Sequence, residues 1–147
     1  MERSLRLLLA THAGAALFMT GVIWFVQLVH YPLMSFVDPS TSAAFARANI
    51  ARTAAVVGPV MLLEALTGLA LLWRRPRNAG LSPLPLSLAL LAAAWVSTAL
   101  SQFPAHRALA EGGGPRIIAG LIASNWLRTA CWSARAVLVL RMLLETP

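Results

Sequence analysis

The sequence contains no lysine, a single cysteine and few charged residues of any kind. Charged residues make up 12% of the 147 positions, whereas they make up about 25% of a soluble domain. Hydrophobic residues make up 59%, against about 45–50% in soluble domains. A chain this apolar has too little polar surface to dissolve as a globular domain. We therefore expect an integral membrane protein whose first partner is the lipid bilayer.

The scarcity of cysteine and the excess of arginine each exclude a class of function. Cys131 cannot form an intrachain disulfide, so the paired-cysteine chemistry of membrane disulfide oxidases is excluded. The net charge is +7, and all of the positively charged residues are arginines. In a soluble protein it would suggest a nucleic-acid partner. Here the arginines lie mostly at the ends of apolar segments, so we interpret the charge as a determinant of orientation and expect no nucleic-acid partner.

Four apolar segments are long enough to cross a bilayer, and they use most of the chain. They cover about residues 5–31, 54–73, 84–103 and 116–141. Four spans of roughly 20 residues each leave only short loops. The sequence therefore predicts an all-α integral membrane four-helix bundle with up-down-up-down order, in one domain over residues 1–147. Pro32 marks a kink or an end of the first span, and residues 43–53 are helix-prone.

The distribution of arginine predicts the orientation of the bundle. In a four-span scheme the tight cluster at Arg74, Arg75 and Arg77 lies on the same side as Arg3 and Arg6. The positive-inside rule places this side in the cytoplasm. We predict a multi-pass protein of the bacterial inner (cytoplasmic) membrane with both termini cytoplasmic, and an N-terminal segment that is retained as the first span.

Each predicted span also carries polar residues at helical spacing along one face. Because polar groups in hydrocarbon turn toward the bundle interior, four such faces predict a common interior polar cavity. The residues are His12, Gln27 and His30 in the first span, Glu64 and Thr67 in the second, Thr98, Gln102 and His106 in the third, and Asn125, Arg128, Thr129, Trp132 and Arg135 in the fourth.

Glu64 and Arg128 lie at comparable depths when residues are counted from the span ends. We predict that they neutralise each other, because either charge alone would be costly in this setting. The pair is either a structural element that fixes helix order or a group polarised toward a bound ligand, and the sequence leaves both open. Arg135 and Arg141 are interpreted as anchors that extend toward the membrane interface.

His30 and His106 lie at the non-cytoplasmic ends of their spans, on the predicted inward face. With the Glu64 carboxylate, two imidazoles would suit a zinc, copper or iron ion, so these three residues are the metal candidates. Neutral histidines that bind a ligand or shuttle protons would need no metal geometry. The cofactor is left open between a metal ion, a haem and a quinone.

Several short motifs carry a resemblance that covers most of the chain. They are Asn125-Trp126-Leu127-Arg128-Thr129 followed by Trp132 and Arg135, His30-Tyr31-Pro32, the segment from Pro59 to Glu64, and Pro104-Ala105-His106. Together they resemble a family of small uncharacterised bacterial four-helix membrane proteins, which is distantly similar to the anthrone-oxygenase-like membrane proteins. The resemblance implies a four-span bundle with functional His, Glu, Asn and Arg residues at these positions.

The leading hypothesis is a small aromatic or quinone-like ligand or cofactor, bound for redox or proton-transfer chemistry by a membrane oxidoreductase or oxygenase. Its catalytic candidates are His30, Glu64, His106 and Arg128, and its ligand-binding candidates are Gln27, Asn125, Trp126, Thr129 and Trp132. The alternative is a non-enzymatic membrane subunit or assembly factor whose polar faces fix helix packing. Whether the protein forms a homo-oligomer is left open.

Overall fold

Four long helical segments make up nearly all of the computed structural model, which describes residues 2–74 and 81–146. The first segment consists of α1 (Glu2–Phe25), a π-helical turn (Val26–His30) and α2 (Tyr31–Met34); the second is α3 (Pro39–Arg74); the third consists of α4 (Leu84–Ser97), a second π-helical turn (Thr98–Gln102) and α5 (Phe103–Ala110); and the fourth is α6 (Pro115–Glu145). The predicted all-helical architecture with four long helices is confirmed.

The four segments pack around a common axis as a bundle. Helix α1 contacts both α3 and α6, and α4 contacts both α6 and α3. Helices α3 and α6 therefore occupy opposite corners, with the first and third segments between them. Side chains on the inner faces of all four can meet near the axis.

Helix α3 is much longer than the second predicted span, which began at residue 54. It begins at Pro39, a residue type suited to the first helical position, so residues 43–53 belong to the same helix. The Asp38 carboxylate accepts a hydrogen bond from the Ser40 backbone N–H at 2.8 Å. The hydrogen bonds from Ser40 lower the pKa of Asp38 below its ordinary value. Arg75 and Arg77, which support the predicted orientation, lie outside the described residues.

Both π-helical turns end two residues before a proline. Proline lacks an N–H and its ring clashes with the carbonyl four residues earlier, so a regular α-helix cannot continue undisturbed through it. The Tyr31 N–H bonds instead to the Val26 carbonyl, and the Phe103 N–H to the Thr98 carbonyl, each five residues back. The helix thus widens into a π-helical turn before Pro32 and does not end there.

The bundle has an apolar outer face and encloses polar side chains within an otherwise apolar core. Large apolar side chains are exposed on its outer face, for example Leu66 (65% exposed), Leu100 (74%) and Val137 (66%). Glu64, Asn125 and other polar side chains are fully enclosed, between apolar clusters that fill the rest of the core.

Three of the helical segments are long and apolar enough to cross a membrane: Arg3–Met34, Pro39–Arg74 and Leu84–Ala110. Among the described residues α6 is not one of them, although its 31 residues are sufficient in length. Its middle carries Asn125, Arg128 and Arg135, which lower its hydropathy. These same side chains are buried against the other helices.

Candidate functional site

The polar faces turn inward as predicted, but they form two clusters rather than one cavity. The first, which we call the ion-pair cluster, consists of His12, Glu64, Thr67, Ser87, Trp132 and Arg135. The second lies around a cavity and contains His30, Tyr31, Asn49, Gln102, His106 and Arg128. The two clusters meet at Trp132, whose indole ring contacts groups from both.

In the ion-pair cluster the Glu64 carboxylate pairs with the Arg135 guanidinium, and neither side chain is exposed. The Trp132 Nε1–H donates to the second carboxylate oxygen at 3.3 Å. The Arg135 Nε–H donates to the Ser87 carbonyl at 2.8 Å. The predicted pairing of Glu64 with Arg128 is therefore wrong, and so is the interpretation of Arg135 as an interfacial anchor.

The physical reason for this error is helical geometry. Arg128 and Arg135 are seven residues apart, so they share a face and differ by roughly 10 Å along the axis. Facing direction is encoded by spacing, but level depends on where each helix begins and ends. Helix α3 ends at Arg74, close to the predicted end of its span, but α6 continues to Glu145, beyond the predicted end near residue 141. Counted from these helix ends, Glu64 lies level with Arg135 rather than with Arg128.

His12 is held in the ion-pair cluster by α3. Its Nδ1 lies 3.0 Å from the Thr67 hydroxyl and 3.1 Å from the Glu64 carbonyl, and its side chain is fully buried. The imidazole packs directly against Gly68, where an added Cβ would lie 3.0 Å from His12 Cε1 and 2.6 Å from Leu88 Cδ2. Glycine at this position therefore makes room for the histidine.

Substituting Gly68→Ala is expected to lower the free energy of unfolding by about 1–3 kcal/mol, the range for overpacking a core. The new methyl group would push His12 away from Thr67. The matched control is Gly14→Ala, because a Cβ at Gly14 would meet nothing within 4 Å. Thermal unfolding of the detergent-solubilised variants measures both. Equal melting temperatures for the two variants would contradict the expected crowding.

The second cluster surrounds a partly open cavity of about 380 Å³. Its walls come from the end of α1 with the first π-helical turn and α2, the middle of α3, the second π-helical turn with α5, and one residue of α6. Most of the lining is apolar and includes Met19, Val57 and Met61. The polar lining side chains are His30, Tyr31, Asn49, Thr53, Thr98, Gln102, His106, Arg107 and Arg128.

A chain of hydrogen bonds fixes the protonated nitrogen of His106. The Ser124 hydroxyl donates to the Gly120 carbonyl at 2.7 Å, so its oxygen accepts the 2.7 Å bond from Gln102 Nε2. The Gln102 carbonyl oxygen therefore faces Tyr31, whose hydroxyl donates to it at 3.1 Å. The Tyr31 oxygen then accepts from His106 Nε2 at 2.9 Å. With its proton on Nε2, a neutral His106 carries a lone pair on Nδ1.

A second chain of hydrogen bonds positions Arg128. Gln27 Nε2 donates to the Ile122 carbonyl at 3.2 Å, and the Gln27 oxygen accepts from Asn125 Nδ2 at 2.8 Å. The Asn125 oxygen then accepts from Arg128 Nη1 at 2.9 Å. The guanidinium also lies over the Trp132 ring, 5.4 Å from its centroid. Each amide is thus oriented by its neighbour, and Arg128 is held at the cavity by neutral groups.

Three buried polar atoms on residues lining the cavity have no hydrogen-bond partner in the protein: His30 Nε2, His106 Nδ1 and Arg128 Nε. Buried polar atoms are nearly always paired, and leaving one unpaired costs about 1–3 kcal/mol. Of the six such atoms among the described residues, three belong to this one chamber. They comprise a donor on Arg128, an acceptor on His106 and a nitrogen of His30 that can serve in either role.

The structure brings together three of the four predicted catalytic residues: His30, His106 and Arg128 all line the cavity. Glu64 does not line it and belongs to the ion-pair cluster. The described residues contain no group of three His, Cys, Asp or Glu side chains that could hold a metal ion. The metal candidates His30, His106 and Glu64 therefore do not form one site, because the carboxylate is committed to Arg135.

None of the five predicted ligand-binding residues is among the residues that line the cavity. Gln27, Asn125 and Thr129 bond to one another, and through Asn125 to Arg128. Trp132 supports the same guanidinium from beneath. Trp126 is 47% exposed on the outer face and meets Trp24 edge to face, with ring centroids 5.9 Å apart.

Sequence reasoning missed Tyr31 and Asn49 as members of the site. Tyr31 is the one tyrosine of the chain and lies between His30 and Pro32, which was a usable signal. Asn49 interacts with His30, but it precedes the predicted start of the second span.

The lining of the cavity combines a cation, a lone-pair nitrogen and a second imidazole with apolar side chains. These groups can hold a ligand oxygen, since Arg128 donates and His106 Nδ1 accepts. No protein-family model, no curated protein and no solved structure matches this chain.

Proposed function

We propose that this chain is a four-span membrane protein that binds a small aromatic or quinone-like molecule in the cavity and accepts a proton from it at His106. The observation that carries the proposal is the set of three unpartnered buried atoms, on His30, His106 and Arg128, around a mostly apolar chamber. An apolar pocket with a few convergent polar groups is the usual form of a small-molecule site.

Membrane insertion is supported by the large apolar side chains exposed on the outer face of the bundle. Three helical segments have the length and hydropathy of spans. Helix α6 serves as the fourth because its most polar side chains are turned inward: Asn125 and Arg135 are fully buried. Four spans place both termini on one side, and Arg3 and Arg6 near the N-terminus favour the cytoplasmic side of a bacterial inner membrane.

The proposed chemistry is a proton transfer at the polar groups of the cavity. A ring hydroxyl of the ligand donates to His106 Nδ1 while its oxygen accepts from Arg128 Nε. When the ligand O–H bond breaks, the N–H bond forms on Nδ1 and the electron pair stays on the ligand oxygen. Arg128 stabilises this developing negative charge, and His30 provides a second acid–base group. The oxygenase activity implied by the resemblance stays a prediction.

2-Naphthol is a simple probe of this arrangement, because it has an apolar body and one hydroxyl. We expect it to bind the detergent-purified protein about tenfold more tightly than 2-methoxynaphthalene, since only the hydroxyl can donate to His106 Nδ1. Tenfold corresponds to about 1.4 kcal/mol, the size of one net hydrogen bond. In His106→Ala the preference is expected to disappear. Isothermal titration calorimetry measures both affinities.

Phe36→Ala is the matched control for this experiment, because Phe36 is 83% exposed and does not line the cavity. It should keep the preference for the hydroxyl. Equal affinity of the wild-type protein for the two probes would refute proton donation to His106. Failure of both probes to bind would refute the cavity as an aromatic-ligand site.

The alternative function, a membrane subunit whose polar groups fix helix packing, is supported by the ion-pair cluster alone. Glu64 and Arg135 join α3 to α6, which occupy opposite corners of the bundle, and Ser87 adds α4. None of these three residues lines the cavity. In this reading they determine helix order, and the double-mutant experiment described in the Discussion tests that role.

A further inference from the structure

The interior of the bundle contains more positive than negative charge. Arg128 and Arg135 are buried, at 7% and 0% exposure, and Glu64 is the one buried carboxylate among the described residues. Every other charged side chain whose burial the structure describes is exposed. The enclosed ionic groups therefore sum to one uncompensated positive charge.

That charge belongs to Arg128. Arg135 pairs with Glu64, Arg107 with Glu111 and Arg141 with Glu145, and Arg128 takes part in none of these pairs. It contacts the amide oxygen of Asn125, the face of Trp132 and the Tyr31 hydroxyl. All three contacts are attractive, but none of these neutral groups carries a full negative charge.

Glu64 cannot compensate Arg128 in this arrangement. One of its carboxylate oxygens pairs with Arg135 and the other accepts from Trp132 Nε1. The same indole presents its ring face to Arg128. Trp132 thus lies between the carboxylate and the second guanidinium, and moving Glu64 toward Arg128 would leave Arg135 unpaired.

An isolated buried cation is costly, and buried charges are normally paired. In a membrane-spanning bundle the cost is higher still, because the alternative surroundings are hydrocarbon. Arg128 lines the cavity, and its Nε–H has no acceptor in the protein. A ligand bound in the cavity can therefore supply the missing negative charge.

We propose that the cavity holds a monoanionic, otherwise apolar molecule whose ionised oxygen acid pairs with Arg128. This inference rests on the proposed function and narrows its ligand class. The lining near Val57 and Met61 accepts an aromatic or aliphatic body, and the single uncompensated cation selects a single negative charge. A carboxylate or an acidic ring hydroxyl in its ionised form satisfies both requirements, and a neutral quinone does not.

2-Naphthoate and 2-naphthamide test the charge with little change in shape. We expect the carboxylate to bind the purified protein at least tenfold more tightly than the carboxamide. Arg128→Met is expected to abolish this preference and Arg128→Lys to retain most of it. The matched control is Arg141→Met on the same helix, which removes an exposed arginine paired with Glu145 and should leave the preference unchanged.

Equal affinity for the two probes in the wild-type protein would overturn the inference, and so would a preference that survives in folded Arg128→Met. Size-exclusion elution shows whether that variant is folded. If it is not, Arg128→Gln replaces it as the neutral variant. Loss of the preference in folded Arg128→Gln supports the charge of Arg128 as the determinant, and a retained preference overturns the inference.

The two proposals fail separately. A preference for 2-naphthol over its methyl ether, without a preference for naphthoate over naphthamide, supports the proton transfer at His106 and overturns the anionic ligand class. A preference for naphthoate over naphthamide, without a preference for 2-naphthol over its methyl ether, supports the anionic ligand class and overturns the proton transfer. Absence of binding by all four probes overturns both, because both depend on the cavity.

Discussion

Glu64→Gln is expected to lower the free energy of unfolding of the bundle by about 3–5 kcal/mol, and Arg135→Met by a similar amount. Each substitution removes one partner of a fully enclosed ion pair and leaves the other charge without compensation, which is the costly way to break such a pair. In Glu64→Gln the interior would hold two unpaired guanidinium groups, on Arg128 and Arg135. Equilibrium unfolding in mixed detergent micelles, followed by tryptophan fluorescence, measures both variants.

The double variant separates a specific pair from two independent losses. Replacing both Glu64 and Arg135 removes the two charges together, and exchanging a buried pair for neutral side chains is often close to neutral. We therefore expect Glu64→Gln/Arg135→Met to be more stable than either single variant. Arg141→Met is the control, because its exposed pair with Glu145 contributes only about 0–1 kcal/mol.

Additive losses in the double variant would contradict a paired interaction between α3 and α6. A small loss in Glu64→Gln would show that the carboxylate does not fix the helix packing. Recovery in the double variant, together with unchanged affinity for ligands of the cavity, would assign the ion-pair cluster to architecture and the cavity to binding.

The sequence predicted which helix face each polar residue occupies, but it did not predict the depth of that residue along the bundle axis. Spacing of three, four and seven residues placed Glu64, Asn125 and Arg128 on inward faces, and all three are buried. The same periodicity cannot distinguish Arg128 from Arg135, because seven residues return to the same face. The partner of Glu64 depends on how far each helix extends beyond its apolar core, and hydropathy does not record that extension.

The cavity could not be predicted for a related reason. Its wall on α3 includes Asn49, Ile50 and Thr53, all of which precede the second predicted span. Hydropathy locates the part of a helix that suits lipid, whereas this wall belongs to a helical extension that begins at Pro39. The prolines were visible in the sequence, but the π-helical turns that precede them depend on hydrogen bonds that no residue pattern specifies uniquely.

Asn125→Leu, which keeps the branching of the side chain but removes its polar atoms, is expected to lower the free energy of unfolding by about 2–5 kcal/mol. The leucine cannot accept from Arg128 Nη1 or donate to the Gln27 oxygen, and both of those groups would stay buried. A lost hydrogen bond to a charged group accounts for about 1.5–3 kcal/mol and a lost neutral hydrogen bond for about 0.5–1.5 kcal/mol, since the Gln27 oxygen keeps its 3.4 Å contact with the Thr129 hydroxyl. Trp126→Leu is the neighbouring control on the outer face, since Trp126 is 47% exposed.

This substitution also tests whether ligand binding depends on the orientation of the Arg128 guanidinium or only on its charge. Asn125 fixes Nη1 at 2.9 Å and so directs the remaining N–H groups of the guanidinium. If that positioning matters, folded Asn125→Leu should bind 2-naphthoate about tenfold more weakly than the wild-type protein while still preferring it to 2-naphthamide, because the charge is retained. An unchanged affinity would show that Arg128 finds its ligand without Asn125. Loss of the preference would mean that orientation as well as charge determines which ligand the cavity accepts.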